Sequence, residues 1–114
     1  MQTPGMLVFS GLAPGTIDRV TTYAKMADER KLRNFLITES ATDSLAYAQH
    51  LASVTSHIQV GTGITNIYLR HPFLTALHVM TIDQLAPGRI LLGLGTSHVP
   101  TNKVHGIRMD KPLT

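Results

Sequence analysis

Four short, unbroken apolar runs punctuate the chain, and longer stretches with apolar residues at helical spacing lie between them. Met6-Leu7-Val8-Phe9, closed by Ser10-Gly11, predicts a first buried strand. After a turn at Ala13-Pro14-Gly15, residues Ile17, Val20, Ala24 and Ala27 recur on one helical face through about Arg30. Thr16 is the candidate N-cap there, with Asp18 in the first turn. Phe35-Leu36-Ile37 predicts the second strand. A second helix fits 44–55, capped by Asp43, with Leu45, Ala48, Leu51, Ala52 and Thr55 on one side. Ile58 to Val60 reads as a third strand ending in Gly61-Thr62-Gly63, followed by a loop over 66–71. Pro72, whose missing N–H is harmless in a first turn, opens a third helix to about Ala86 that stops at Pro87-Gly88. Ile90-Leu91-Leu92 is the fourth strand, ending in Gly93-Leu94-Gly95.

The predicted order is β-α-β-α-β-α-β. Short strands alternating with longer helices call for parallel pairing, and continuously apolar strands call for cover on both sheet faces. The third helix is apolar around much of its girth (Phe73, Leu74, Ala76, Leu77, Val79, Met80, Ile82, Leu85), which predicts a second covering surface such as a subunit contact. From 96 to 114 the periodicity fails, and the stretch reads as a loop leading into a missing fourth helix. A four-strand parallel sheet leaves two edges open. A small open sheet and an incomplete barrel both fit this order.

Composition narrows the function classes. With 114 residues the chain has room for one domain and one modest core. It contains no Cys, which excludes disulfides, thiolate metal sites and a Cys nucleophile. No apolar run reaches membrane-spanning length, and the first eighteen residues carry no Lys or Arg, so neither an anchor nor a signal n-region is read; a cytoplasmic location is expected. The net charge is +3, with the surplus entirely in residues 58–114. That is too little to imply nucleic acid, and three Tyr and three Phe make a poor stacking platform.

Both glycine runs, Gly61-Thr62-Gly63-Ile64-Thr65-Asn66 and Gly93-Leu94-Gly95-Thr96-Ser97-His98, lack the third glycine of a dinucleotide fingerprint, and neither is a P-loop. They are either tight turns after buried strands or places where backbone amides approach a flat or phosphorylated ligand. Glu39, just after the second strand, is a candidate acid, base or acceptor, or alternatively a loop carboxylate that caps the second helix or pairs with Arg. Ser40 beside it is a candidate donor. Arg70 is the candidate for a phosphate or substrate anion, against a solvated charge. Arg89 is expected to serve stability through Asp83, and Asp28 to be an ordinary surface charge. The six His occur in pairs seven apart, too far along a helix, at about 10 Å, to share one ion. No metal site is expected.

The run GTGITNIYLRHP followed by TIDQLAPGRILLGLGTSH resembles the bacterial-luciferase-like family, nearest its deazaflavin-dependent, methylenetetrahydromethanopterin reductase-like branch. AKMADERKL, FLITES, LASVTSHIQVGTGI and HGIRMDKPL extend the likeness over nearly the whole chain. The resemblance implies the N-terminal half of a (β/α)8 TIM barrel, with residues 1–114 forming one partial domain of strands one to four and helices one to three. It implies a reduced deazaflavin, or FMN as the alternative, held at the C-terminal ends of the strands, and a small-molecule substrate. A homodimer through the second and third helices is implied as well. A non-prolyl cis peptide is expected at Gly63-Ile64, with Gly63, Ile64, Thr65 and Asn66 against the ring and Thr96, Ser97 and His98 approaching from the next strand. The activity implied is hydride transfer by a luciferase-like oxidoreductase, with this chain a fragment of a longer enzyme; the alternatives are a flavin-dependent monooxygenase of the same family and a non-catalytic, self-associating half-barrel fragment. Glu39 and Ser40 match an acidic-then-His pair to which catalysis is assigned; Ser40 departs from it, which weakens the monooxygenase alternative. A left-handed Lys31 or Leu32 is implied where the family places glycine at the end of the first helix.

Overall fold

The computed structural model describes residues 3–108. Its elements are β1 (Met6–Val8), α1 (Thr16–Glu29), β2 (Asn34–Ile37), α2 (Ser44–Val54), β3 (Gln59–Asn66), α3 (Pro72–Leu85), β4 (Ile90–Gly95) and α4 (Val99–Val104). All strand pairs are parallel, and the sheet order is β1-β2-β3-β4. Sequential order with crossovers of one hand keeps successive helices on one side of the sheet. That is the winding of a barrel; a doubly wound sheet reverses direction and covers both faces.

The core accordingly lies on one face. Phe35, Ile37 and Val60 from the strands meet Val20 and Ala24 of α1, Leu45 and Leu51 of α2, and Ile82 of α3. Among the described residues no helix of this core covers the other face. Leu7 there is 55% exposed, and Leu36 and Ile64 are half-buried. Cover on both faces, expected from the unbroken apolar runs, is therefore corrected: the inner face of these strands is apolar yet open.

Local chemistry explains most element ends. Asp43 caps α2, its carboxylate accepting from Leu45 N (3.0 Å) and Ala46 N (3.1 Å). His71 caps α3 in front of Pro72, its Nδ1 accepting from Phe73 N at 3.1 Å. Thr16 does not cap α1. It is the first helical residue, and Gly15, at φ 82, takes the cap position as the preceding turn closes through Thr16 N to Ala13 O. At the other end Lys31 sits at φ 57, and Leu32 N reaches back to Ala27 O at 3.0 Å, a left-handed closure that glycine would adopt at about 1 kcal/mol less cost.

Three readings change. First, β3 and β4 run on through the glycines to Asn66 and Gly95, so the glycine runs are strand rather than turn. The reason is steric: a Cβ on Gly61 would lie 2.0 Å from Leu91 O, and one on Gly93 would lie 2.3 Å from Thr62 O. Second, residues 99–104 form a short helix where a loop was expected, opened by Pro100 and seated through buried Asn102; residues 109–114 of the expected loop lie outside the described residues. Third, Asp28 is no ordinary surface charge. It accepts from the backbone N–H of Ser56, His57 and Ile58, each at 2.8 Å. Burial works against its ionised form, but these three N–H groups outweigh it and hold the carboxyl below its usual range.

Arg89 also acts differently from expectation. Its guanidinium donates to Thr55 O (3.2 Å), Thr55 Oγ1 (2.5 Å) and Ile58 O (3.0 Å), tying down the C-terminus of α2, while Asp83 accepts from Gly88 N. Its role at this end of the sheet is structural, at a helix terminus that favours a cation. Phe73, Leu74, Leu77, Met80 and Leu85 of α3 are exposed, so the helix carries the uncovered apolar side its composition foretold.

Candidate active site at the strand ends

The C-terminal ends of β2, β3 and β4 bring Glu39, residues 63–66 and residues 96–98 to one end of the sheet. At β3 the register with β4 slips between Gly63 and Thr65, so Ile64 is the extra residue of a bulge, and the Gly63-Ile64 peptide is cis. The bulge decides which side chains face which way. Thr62 and Thr65 both turn toward α2, their hydroxyls 2.8 Å apart, and Thr65 meets Ser44 Oγ at 3.0 Å. Ile64 stays out of the helix-side core, half-buried, and packs over Gly95, where an added Cβ would come within 3.1 to 3.2 Å of it.

Glu39 is the hub. Its Oε2 accepts from Ser44 N (2.9 Å) and Ser44 Oγ (2.8 Å), and its Oε1 accepts from Asn66 N (2.8 Å). Arg70 clasps both oxygens, at 3.0 and 2.6 Å, and reaches Asp43 at 2.5 Å. The Glu39 side chain is only 4% exposed. Burial raises its pKa, but the Arg70 guanidinium, the Asn66 and Ser44 N–H groups and the Ser44 hydroxyl more than offset that and bring it from 4.5 to about 2. A carboxylate so held is ionised at neutral pH and has no lone pair to spare for shuttling protons. Both structural alternatives read from the sequence, helix capping and pairing with Arg, are realised together.

The same contacts remove Arg70 as a free anion receptor. Two carboxylates pair with it, and its pKa rises, chiefly through the hydrogen bonds it donates to Glu39 and against the cost of burial. With Glu39 and Asp43 ionised, the cluster sums to one negative charge. Ser40 is exposed beside it, on the wall of an open cavity of about 590 Å³ that also touches Arg70, Leu69 and His105. A second stitch joins the loops after β1 and β2: Ser10 Oγ donates to Thr38 O (3.2 Å) and accepts from Thr42 Oγ1.

The structure also sorts the residues expected against a ring. Gly63, Ile64 and Gly95 lie at the open face, with Ile64 over Gly95 and Gly63 beside Leu7 and Leu36. Thr65 and Asn66 are each 1% exposed and hydrogen-bonded within the fold; the bulge at Ile64 shifts the alternation by one and turns Thr65 toward Ser44, while the Asn66 side chain is covered by Asn102. Thr96 and Ser97 are half-buried after β4, Ser97 at φ 56, and His98 is exposed with its ring 3.1 Å from the Thr101 hydroxyl. Sequence reasoning missed Ser44 and Asn102. Ser44 carried a faint signal, next to a helix cap and five residues after Glu39. Asn102 carried none, lying in a stretch without periodicity. Among the described residues no three His, Asp or Glu converge on a metal position.

This winding and this bulged strand end define a segment of a (β/α)8 barrel with its site at the C-terminal ends of the strands. The sequence profile of the luciferase-like monooxygenase family matches residues 4–114, and the chain belongs to that family. It is 34% identical over 98 residues to the 5,10-methylenetetrahydromethanopterin reductase of Methanolobus tindarius, covering 84% of this chain and 30% of that protein. The coenzyme F420-dependent tetrahydromethanopterin reductase of Methanopyrus kandleri superposes with a TM-score of 0.83 at 25% identity, over 97% of this chain and 31% of that one. The FMN-bound oxygenating constituent of 3,6-diketocamphane monooxygenase from Pseudomonas putida shares the fold, with a TM-score of 0.81 at 23% identity over 95% of this chain and 33% of that one. The chain thus spans about a third of the length of the relatives it matches. Among the described residues no helix is long and apolar enough to cross a membrane.

Proposed function

We propose that the chain supplies the ring-binding floor of a luciferase-like oxidoreductase that uses a reduced deazaflavin, with FMN as the alternative, to reduce a small organic substrate. The observation that carries this reading is the open apolar face at the strand ends, where Ile64 packs over Gly95 and Gly63 adjoins Leu7 and Leu36. Such a surface accepts the face of a flat ring, and polar groups of Thr96, Ser97 and His98 stand at its edge. The relatives named for F420 favour deazaflavin. Hydride transfer to an electrophilic carbon is the chemistry such a group supplies when bound.

The chain's own residues hold and orient. Ile64 supports the ring from behind, and Gly95 leaves Ile64 room to lie flat. Thr96, Ser97 and His98 offer hydrogen bonds at the ring edge, while Thr65 and Asn66 brace the bulge from inside the fold. Glu39 keeps the ends of β2 and β3 together, as a positioning residue rather than a proton carrier. Exposed Ser40 faces the side from which substrate enters.

Because these residues form only one wall, the isolated chain is expected to bind cofactor weakly, with a Kd above about 10 μM. Side-by-side fluorescence titrations of the chain with deazaflavin and with FMN test the preference for deazaflavin. Gly95→Val, which drives a branched side chain into Ile64, is expected to weaken binding about tenfold in a fluorescence titration. Equal affinity for Gly95→Val and the parent chain, or no uptake of either cofactor, would overturn the reading.

The apolar strip on α3 favours self-association through α2 and α3, whether or not the chain is catalytic by itself. Met80, 64% exposed, lies in the middle of that strip. Met80→Lys is expected to shift the chain from dimer to monomer in sedimentation velocity, and an unchanged distribution would remove this surface from consideration.

A further inference from the structure

Asn102 is fully buried on a six-residue helix that sequence periodicity does not reveal. Its side-chain amide is used at both ends. Its Oδ1 accepts from Asn66 Nδ2 at 2.6 Å, and its own Nδ2 donates to Thr96 O at 2.6 Å. Asn66 continues the line, its Oδ1 accepting from Tyr68 N at 3.0 Å and its backbone N–H donating to Glu39 Oε1 at 2.8 Å. Asn102 O accepts from Ile107 N at 2.8 Å, which fixes the chain beyond α4 to the same point. One continuous set of hydrogen bonds therefore runs across the mouths of β2, β3 and β4, from Glu39 through Asn66 and Asn102 to Thr96.

We propose that Asn102 is a positioning residue for the ring site, holding the Thr96–His98 turn level with the bulge at Ile64. Thr96 and Ser97 follow β4 directly, and Ser97 adopts a left-handed conformation that needs an external hold on its neighbours. An amide is the right group for the task. It carries an acceptor oxygen and a donor NH2 in one plane, so one side chain serves both partners, and a buried amide left half-bonded is destabilising. The functional consequence rests on the ring-site reading above; the clamp itself does not.

Amide hydrogen exchange on the full chain, with no ligand present, tests the clamp. In Asn102→Ala, exchange at Thr96, Ser97, His98 and Tyr68 is expected to quicken about tenfold while Ile37 and Val60 keep their protection. Asn102→Asp keeps the acceptor for Asn66 and loses the donor to Thr96. It sets a buried carboxyl oxygen against Thr96 O, and is expected to speed 96–98 while sparing Tyr68. Unchanged exchange at 96–98 in both variants, or an equal rise at every amide, overturns the clamp. FMN and deazaflavin titrations form the second arm, in which both variants are expected to bind about five- to tenfold more weakly. Quickened exchange with unaltered affinity overturns the positioning role. A parent chain that binds neither ring overturns the ring-site reading instead, leaving the clamp to be decided by exchange alone.

Discussion

Glu39→Ala is expected to destabilise the fold by about 3–5 kcal/mol, because it strips the partner from a buried guanidinium and leaves Ser44 N, Asn66 N and the Ser44 hydroxyl without their acceptor. Asp43 still reaches Arg70, but its side chain is 50% exposed and it touches none of those other donors. Glu39→Gln keeps the shape and one good acceptor and should recover part of the loss. Denaturant midpoints at neutral pH measure both. The pH dependence has a definite sign. Folding lowers the Glu39 pKa from 4.5 to about 2, so the folded state binds the proton less readily than the unfolded one. The stabilisation is complete above about pH 5 and is lost as pH falls through the interval from 4.5 to about 2. Glu39→Ala should flatten the stability profile over that interval. A variant within 1 kcal/mol of the parent, or one whose acid limb is unchanged, would return Glu39 to the list of candidate proton carriers.

Gly61→Ala carries the second large effect. The added methyl would sit 2.0 Å from Leu91 O and 2.8 Å from Leu91 C, atoms of backbone that cannot turn aside. Either β3 and β4 separate and give up ladder bonds, or the sheet bends; a loss of about 3 kcal/mol or more is expected. Gly63→Ala, two residues on, is the control. Its methyl would meet the Leu7 Cδ1 at 3.1 Å, the far end of a flexible and exposed side chain, so a cost below about 1 kcal/mol is expected. Thermal unfolding of the two variants side by side checks the difference. Equal melting temperatures would mean that the close approach of β3 to β4 does not require glycine at 61.

The reading of the sequence was strongest where local chemistry decides the outcome. Asp43 caps α2 and Pro72 starts α3 as expected, because a cap needs only the few residues around it. The glycine runs were placed correctly at the mouth of the sheet but misjudged as turns. Within a single chain segment, glycine for a turn and glycine for a close strand neighbour look alike. Only the partner strand, with Leu91 O against Gly61 and Thr62 O against Gly93, tells them apart.

By itself the sequence determined the order of elements as far as β4, their parallel pairing, the strand ends that carry the candidate site and, through its motifs, the family. Each of these follows from short-range patterns of apolar spacing, caps and recognisable runs. The tertiary structure alone decided which side chains face the site. A one-residue bulge at Ile64 reverses the alternation, burying Thr65 beside Ser44 and leaving Ile64 to the open face. It also decided that Glu39 and Arg70 satisfy each other and that Asn102 spans two strand ends. These pairings join residues 31 to 36 apart in the chain, and no local pattern encodes which distant group will meet a buried charge or amide.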